Sequence, residues 1–253
     1  MKKNRMKEKL LSGQAALGVS VMIPSPQIVE MVGRLGFDWV LIDCEHGTIG
    51  LESVELMAMA AEAAGLVPVV RTESNTPEAI SRALDRGAMG VQVPHDNTAA
   101  DARRVVEAAR FHPQGRRGLA AATRPADYGF GLPMERYVEE ANRETLLGVQ
   151  LEEVEALRNL DEILQVGGVD VFFLGPSDLS QSMGLPGQSE APEVQAAMDR
   201  AIAAIVAAGK VAGSAGGAGS ITRCLDRGCL YLYTHLPGLL ASGAAEFRRG
   251  VGR

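Results

Sequence analysis

The chain has 253 residues, 46% of them hydrophobic and only 4% aromatic, and carries a formal net charge of -6 at pH 7. This length and composition suit one large aliphatic core. An acidic chain without Lys and Arg clustered among aromatics argues against a nucleic-acid or anionic-membrane surface and leaves a small molecule as the expected partner.

The chain begins with a basic stretch whose apolar continuation is interrupted by Ser12, Gly13 and Gln14, where a secretion signal needs an unbroken apolar run. No later segment has the apolar length of a membrane span. Beyond the tail, Val/Ile/Leu-rich runs alternate with Ala-rich amphipathic stretches, the pattern of parallel strands joined by helical crossovers. In chain order the strands are expected at 17–22, 39–43, 67–71, 90–94, 146–151, 169–174, 211–215 and 230–234. The helices between and after them are expected at 26–35, 51–64, 76–86, 98–110, 153–166, 191–208, 218–227 and 237–249. Thr76-Pro77 marks a helix start, and Gly65, Gly87 and Gly228 stand where a left-handed residue ends a helix. Eight βα units in this length predict an α/β fold, a single-domain (β/α)₈ TIM barrel spanning 1–253, with an open doubly wound sheet as the weaker alternative. The segment 111–133 is too long for an ordinary turn and is expected to be a functional loop or lid.

Three cysteines, Cys44, Cys224 and Cys229, with no C-x-x-C pair, suit free thiols in a reducing cytoplasm. Only five lysines occur, and the one outside the N-terminal tail, Lys210, precedes strand seven at the wrong end of the barrel for Schiff-base chemistry in the mouth. There is no G-x-S-x-G elbow, and no dinucleotide fingerprint follows the first strand.

Chemistry in such barrels collects where strands end. The expected strand ends carry Asp43, Cys44, Glu45 and His46, then Arg71, His95 and Asp96, Gln150 and Glu152, Ser177 and Asp178, the run "GSAGGAGS", and His235. Singly, each has a plainer reading: Asp178 as a helix cap, Glu152 as a first-turn carboxylate, the glycine run as a flexible loop. Together at one mouth they point to a site. Gln150 and Glu152 share a side of their strand, and Glu152 with Asp178 could supply two oxygen ligands to Mg²⁺ or Mn²⁺.

The motifs "FDWVLIDCEHG", "VVRT", "GVQLE" and "VFFLGPSDLS", in this order and spacing, resemble the HpcH/HpaI-type class II pyruvate aldolases, most strongly over about 36–185. The resemblance implies a metal-dependent aldolase that makes or cleaves 4-hydroxy-2-oxo acids, with pyruvate as enolate donor and an aldehyde as partner. It implies Glu152 and Asp178 as ligands of a divalent metal, Mg²⁺, Mn²⁺ or Co²⁺, and His46 with Asp43 as the acid/base dyad. Arg71 would meet the keto oxygen, Gln150 would sit beside the metal, and Gly175, Pro176 and Ser177 would receive the carboxylate. It further implies a homo-hexamer in which Asp85 contributes to a neighbour's pocket. His95, where the family usually has an apolar residue, and "GSAGGAG" depart from the pattern, and Arg124 and Tyr128 are candidate aldehyde contacts. The alternatives are a citrate-lyase-like enzyme acting on a coenzyme A thioester and a non-catalytic 2-oxo acid binder.

Overall fold

Strands covered on both faces read as near-continuous apolar runs, and each of the expected runs forms a strand. The structure, a computed structural model, describes residues 2–252. Its strands are β1 (Ala16–Val21), β2 (Trp39–Asp43), β3 (Val67–Arg71), β4 (Gly90–Val93), β5 (Leu146–Leu151), β6 (Val171–Leu174), β7 (Val211–Ala215) and β8 (Tyr231–His235). They pair in parallel in chain order, and β8 returns to β1 to close the barrel. The expected (β/α)₈ architecture is therefore present.

The helices are α1 (Arg5–Leu11), α2 (Pro26–Arg34), α3 (Leu51–Ala63), α4 (Pro77–Asp85), α5 (Ala99–Ala109), α6 (Met134–Glu144), α7 (Val154–Arg158), α8 (Leu160–Leu164), α9 (Pro176–Ser182), α10 (Pro192–Ala207), α11 (Ala218–Asp226) and α12 (Leu236–Gly250). The expected helix 153–166 is broken into α7 and α8 at Asn159, whose side chain donates to the carbonyl of Asn97 at 2.9 Å. Helices α1, α6 and α9 lie where the sequence reading had tail or loop. Among the described residues, no helix is long and apolar enough to cross a membrane.

Alternation along each strand separates two cores. Outward residues such as Val40, Ile42, Val70 and Phe172 pack under the helices. Inward residues such as Trp39, Leu41, Val69, Phe173 and Tyr231 fill the barrel. Trp39 fits because β1 offers Gly18 beside it; a Cβ there would stand 2.3 Å from the indole. The floor is stoppered by α1, which buries Met6 and Leu10 in the interior cluster. Asn4 at its start donates to the carbonyls of Met89 (3.1 Å) and Glu144 (3.0 Å), and Lys7 reaches Asp170.

Candidate active site

Two residues beyond Leu41 the inner face of β2 reaches Asp43, and two beyond Val69 that of β3 reaches Arg71; register sets the two side by side. Arg71 Nε donates to Asp43 Oδ1 at 2.9 Å and Nη2 donates to Oδ2, a bidentate pair buried at the barrel mouth. Burial opposes the guanidinium charge, but the bond to Asp43 and the nearby acids outweigh it and hold the Arg71 pKa above its ordinary value.

Asp43 Oδ1 also accepts the backbone N–H of Glu45 (3.1 Å) and of His46 (3.3 Å). The expected side-chain dyad of Asp43 and His46 is thus replaced by a different arrangement. Asp43 holds His46 through its backbone, and the imidazole, 53% exposed, has Glu45 as its carboxylate neighbour at 3.8 Å. The cause is Arg71, which takes both oxygens of Asp43.

Opposite, a chain of side chains crosses the barrel. Tyr231 donates to Gln92 Oε1 at 3.1 Å, Gln92 donates to Gln150 Oε1, and Gln150 donates to Glu152 Oε2. The relay fixes which end of the Gln150 amide meets Glu152. Glu152 is buried and also accepts the backbone N–H of His95 at 3.0 Å. Burial, helped by the like charges of Asp178 and Glu45, pushes its pKa up to about 7 despite those bonds. Gly175 leaves the room this carboxylate needs, since a Cβ there would lie 2.9 Å from Oε2.

Glu45, to which sequence reading assigned no role, is central. Its side chain is 10% exposed and lies 3.2 Å from Arg71 Nη1 and 3.4 Å from His95 Nε2. Its buried Oε2 has no hydrogen-bond partner among the described residues. Glu45, His95 and Glu152 each offer one donor atom, all within 4.8 Å of one another, a grouping able to hold a metal ion. The Glu45 Oε2 is the oxygen paired with Arg71; what fits a cation is Glu152, a buried carboxylate set beside the like charges of Asp178 and Glu45. Asp178, expected as the second ligand, lies outside that three-residue cluster; it is half-buried, lines the cavity, and acts on Glu152 through its charge.

The mouth holds a cavity of about 360 Å³, lined by His46, Arg71, Gln150, the segment Gly175 to Asp178, and Tyr233 and His235 from β8. Burial, followed by the Arg71 charge, lowers the His235 pKa. The expected substrate contacts are therefore gathered in one place. The loop 111–133 is not among them. Its 3₁₀ turn (Arg124–Gly129) lies at the opposite end of the barrel, where Arg124 pairs with Glu62 and, with Tyr128 and Met89, lines a separate cavity of about 560 Å³. Within one chain the loop does not cover the mouth, because it follows α5, which carries the chain back toward the strand starts. Asp85, at the end of α4, is bound there to Arg117 Nη2 at 2.7 Å.

The family model for HpcH/HpaI aldolase/citrate lyase matches residues 18–218, which hold every residue named in this site except those of β8. The chain belongs to this family. A hydroxypyruvate/pyruvate aldolase of Cupriavidus necator is 38% identical over 96% of this chain and 90% of its own length. A 2-keto-3-deoxy-L-rhamnonate aldolase of Escherichia coli is 36% identical over 97% and 91%. A family member from Burkholderia cenocepacia, known by crystal structure, superposes with a TM-score of 0.92 at 30% identity, covering 99% of this chain and 100% of that one. Their positions at strand ends place Arg71, Gln150 and Glu152 at the mouth from sequence, and alternation puts Gln150 and Glu152 on one side; their expected roles come with the family resemblance. Sequence reasoning placed Glu45 and His95 at the mouth without a role and missed Gln92, a polar residue inside the apolar run "GVQV".

Proposed function

We infer that the protein is a class II pyruvate aldolase that forms or cleaves the C3–C4 bond of 4-hydroxy-2-oxo acids, using pyruvate as enolate donor and an aldehyde as partner. The observation that carries this reading is the mouth itself, where a buried Arg71 faces a cavity shared with His46 and Asp178 and pairs at 3.2 Å with Glu45, a member of the metal-capable group. Pyruvate's methyl protons are too weakly acidic for an unaided imidazole, so charge must form stably on the keto oxygen. A divalent ion, Mg²⁺, Mn²⁺ or Co²⁺, held at Glu152 with Asp178 beside it, supplies Lewis acidity there when bound. Arg71 directs its guanidinium at the same oxygen, and Asp43 keeps it in plane. His46 moves the proton: from the pyruvate methyl in synthesis, and from the 4-hydroxyl side of the bond in cleavage. Gln150 keeps Glu152 oriented, and Gly175, Pro176 and Ser177 border the space for the carboxylate. The relatives named for hydroxypyruvate, pyruvate and a 2-keto-3-deoxy sugar acid support a 2-oxo acid substrate.

A homo-oligomer, hexameric by the family resemblance, accompanies this reading. It is supported by α12, which rests on the core only through the half-buried Leu236 and Leu239 and presents Leu240 (65% exposed) and Phe247 (72%) to solvent. It would also give the loop 111–133 and Asp85 a neighbour's mouth to complete. The three free thiols support a reducing, cytoplasmic setting.

The test is NMR-detected exchange of pyruvate methyl protons for deuterium, which needs no knowledge of the aldehyde. Exchange is expected with Mg²⁺ or Mn²⁺ and is expected to vanish with chelator and in Glu152→Ala. Exchange that persists after thorough chelation would overturn the metal-dependent assignment.

A further inference from the structure

The run "GSAGGAGS", residues 213–220, contains no large side chain. It ends β7 and opens α11, and there the mouth cavity extends past the strand. Ser214, Gly216, Gly217 and Ser220 line it, and so do Met198 of α10 and Cys224 of α11. Cys224 is closed to the outer surface, at 4% exposure, yet borders the cavity. The pyruvate chemistry described above gives this thiol no task.

Its neighbour is fixed by the way α11 ends. The N–H of Cys229 donates to the carbonyl of Cys224 at 3.0 Å, that of Gly228 donates to the carbonyl of Leu225 at 2.9 Å, and Gly228 takes φ 92°. These are the two bonds and the left-handed glycine of a Schellman end, a motif that commonly brings the side chains of its first and last residues together. Standard bond lengths across the 3.0 Å contact keep the two Cα atoms within about 7 Å, and the bend at the carbonyl brings them inside the span of a disulfide. Both side chains lie in one core cluster. The contact with Cys229, joined by Ser214 and the charges of Arg227 and Arg223, outweighs burial and lowers the Cys224 pKa to about 7. The same contact, then burial, raises that of Cys229. One thiol thus ionises readily while the other stays protonated beside it.

We propose that Cys224 and Cys229 form a peroxide-reactive dithiol, reached through the mouth cavity, that closes reversibly to a disulfide. The oxidant is hydrogen peroxide. The Cys224 thiolate attacks one peroxide oxygen, the O–O bond breaks, the departing hydroxide takes up a proton as water, and the sulfur becomes a sulfenic acid. The Cys229 sulfur then attacks that of Cys224, the S–O bond breaks, and the sulfenic oxygen leaves as a second water with the proton of Cys229. Two thiols and one peroxide become one disulfide and two waters. Because the resolving thiol is already in place, the sulfenic acid is consumed before it reaches the irreversible sulfinic acid, and a thiol reductant restores the pair.

The experiment treats the folded, full-length protein with hydrogen peroxide at pH 8, blocks the remaining thiols in denaturant and digests with trypsin without reductant. Arg227 stands between the two cysteines, so they leave on separate peptides and a disulfide shows as a cross-linked pair two hydrogens lighter than its parts. That pair is expected to form on the order of 10²-fold or more faster than Cys44 is oxidised, and dithiothreitol is expected to reverse it. In Cys229→Ser, Cys224 is expected to stop at the sulfenic acid and to be trapped by dimedone. The wild-type digest decides the pairing by itself, whether or not the variant folds. Cys224 and Cys229 that stay reduced under peroxide that oxidises the denatured protein overturn the proposal. So does Cys224 that accumulates as sulfinic acid with Cys229 free, or Cys44 that reacts first.

Discussion

Arg71 shows how far one side chain can be specified by its neighbour. Two parallel hydrogen bonds to Asp43 set the plane of the guanidinium as well as its position, and an ammonium cannot reproduce that fork. Arg71→Lys is therefore expected to lower pyruvate enolisation on the order of 10²-fold, the usual scale for removing one aimed donor, while the fold persists; steady-state exchange rates check it. Cys44, next to Asp43, is the opposite case of a group silenced by its surroundings. Burial, then the charges of Asp43 and Glu73, push its thiol up to about 12. A raised thiol pKa removes thiolate at every pH below it, so at pH 8 the reactive fraction is on the order of 10⁻⁴. Alkylation by iodoacetamide followed by peptide mass spectrometry is expected to leave Cys44 unmodified at pH 8 in the folded protein and to label it after denaturation. Residues on strands were legible from sequence because a period of two leaves no choice of face: Asp43, Arg71, Gln150 and Glu152 could be assigned to the mouth. His95 and Glu45 could be placed at strand ends, but not given partners. Their contacts depend on loop dihedrals, and no pattern of polarity announces that His95 turns to φ 58°. His95 holds that conformation at a cost of about 1–3 kcal/mol, which its carboxylate partners must offset.

At the level of elements, the strands were read nearly to the residue, whereas the helices were read where they are Ala-rich and missed where they are polar. Helix α6, "MERYVEEANRE", buries only Tyr137, Ala141 and Asn142, too narrow a stripe to stand out within a long irregular stretch. The break between α7 and α8 depends on Asn159 meeting a carbonyl 62 positions earlier, a contact no local window contains. The loop 111–133 was recognised as an element but not located, since its end of the barrel follows from the direction of α5. The pairing of β1 with β2 offers a sharper test of element packing. In Gly18→Ala the new methyl would stand 2.3 Å from the buried indole of Trp39, with barrel walls behind it. Overpacking of this kind is expected to cost about 3 kcal/mol, read as a lower urea midpoint with an unchanged slope.

For the whole molecule, closure of the sheet was legible from the count of βα units, but the surfaces at its two ends were not. The mouth carries the cavity lined by Arg71 and His46, and the floor carries Asp85, Arg117 and the 3₁₀ turn. Sedimentation velocity at micromolar concentration is expected to show an oligomer, and charges placed on the exposed face of α12 by Leu240→Glu with Phe247→Glu are expected to lower its mass. A wild-type monomer under those conditions would contradict the assembly. The stopper helix α1 has a consequence for biosynthesis. Lys7 and Asp170 are 163 residues apart, so at 5–20 residues per second the ribosome needs roughly 8–30 s after making Lys7 to supply its partner. Throughout that interval Met6 and Leu10 have no barrel floor to enter. Helix α1 is thus an apolar handle that the nascent chain carries while most of the barrel is still being translated.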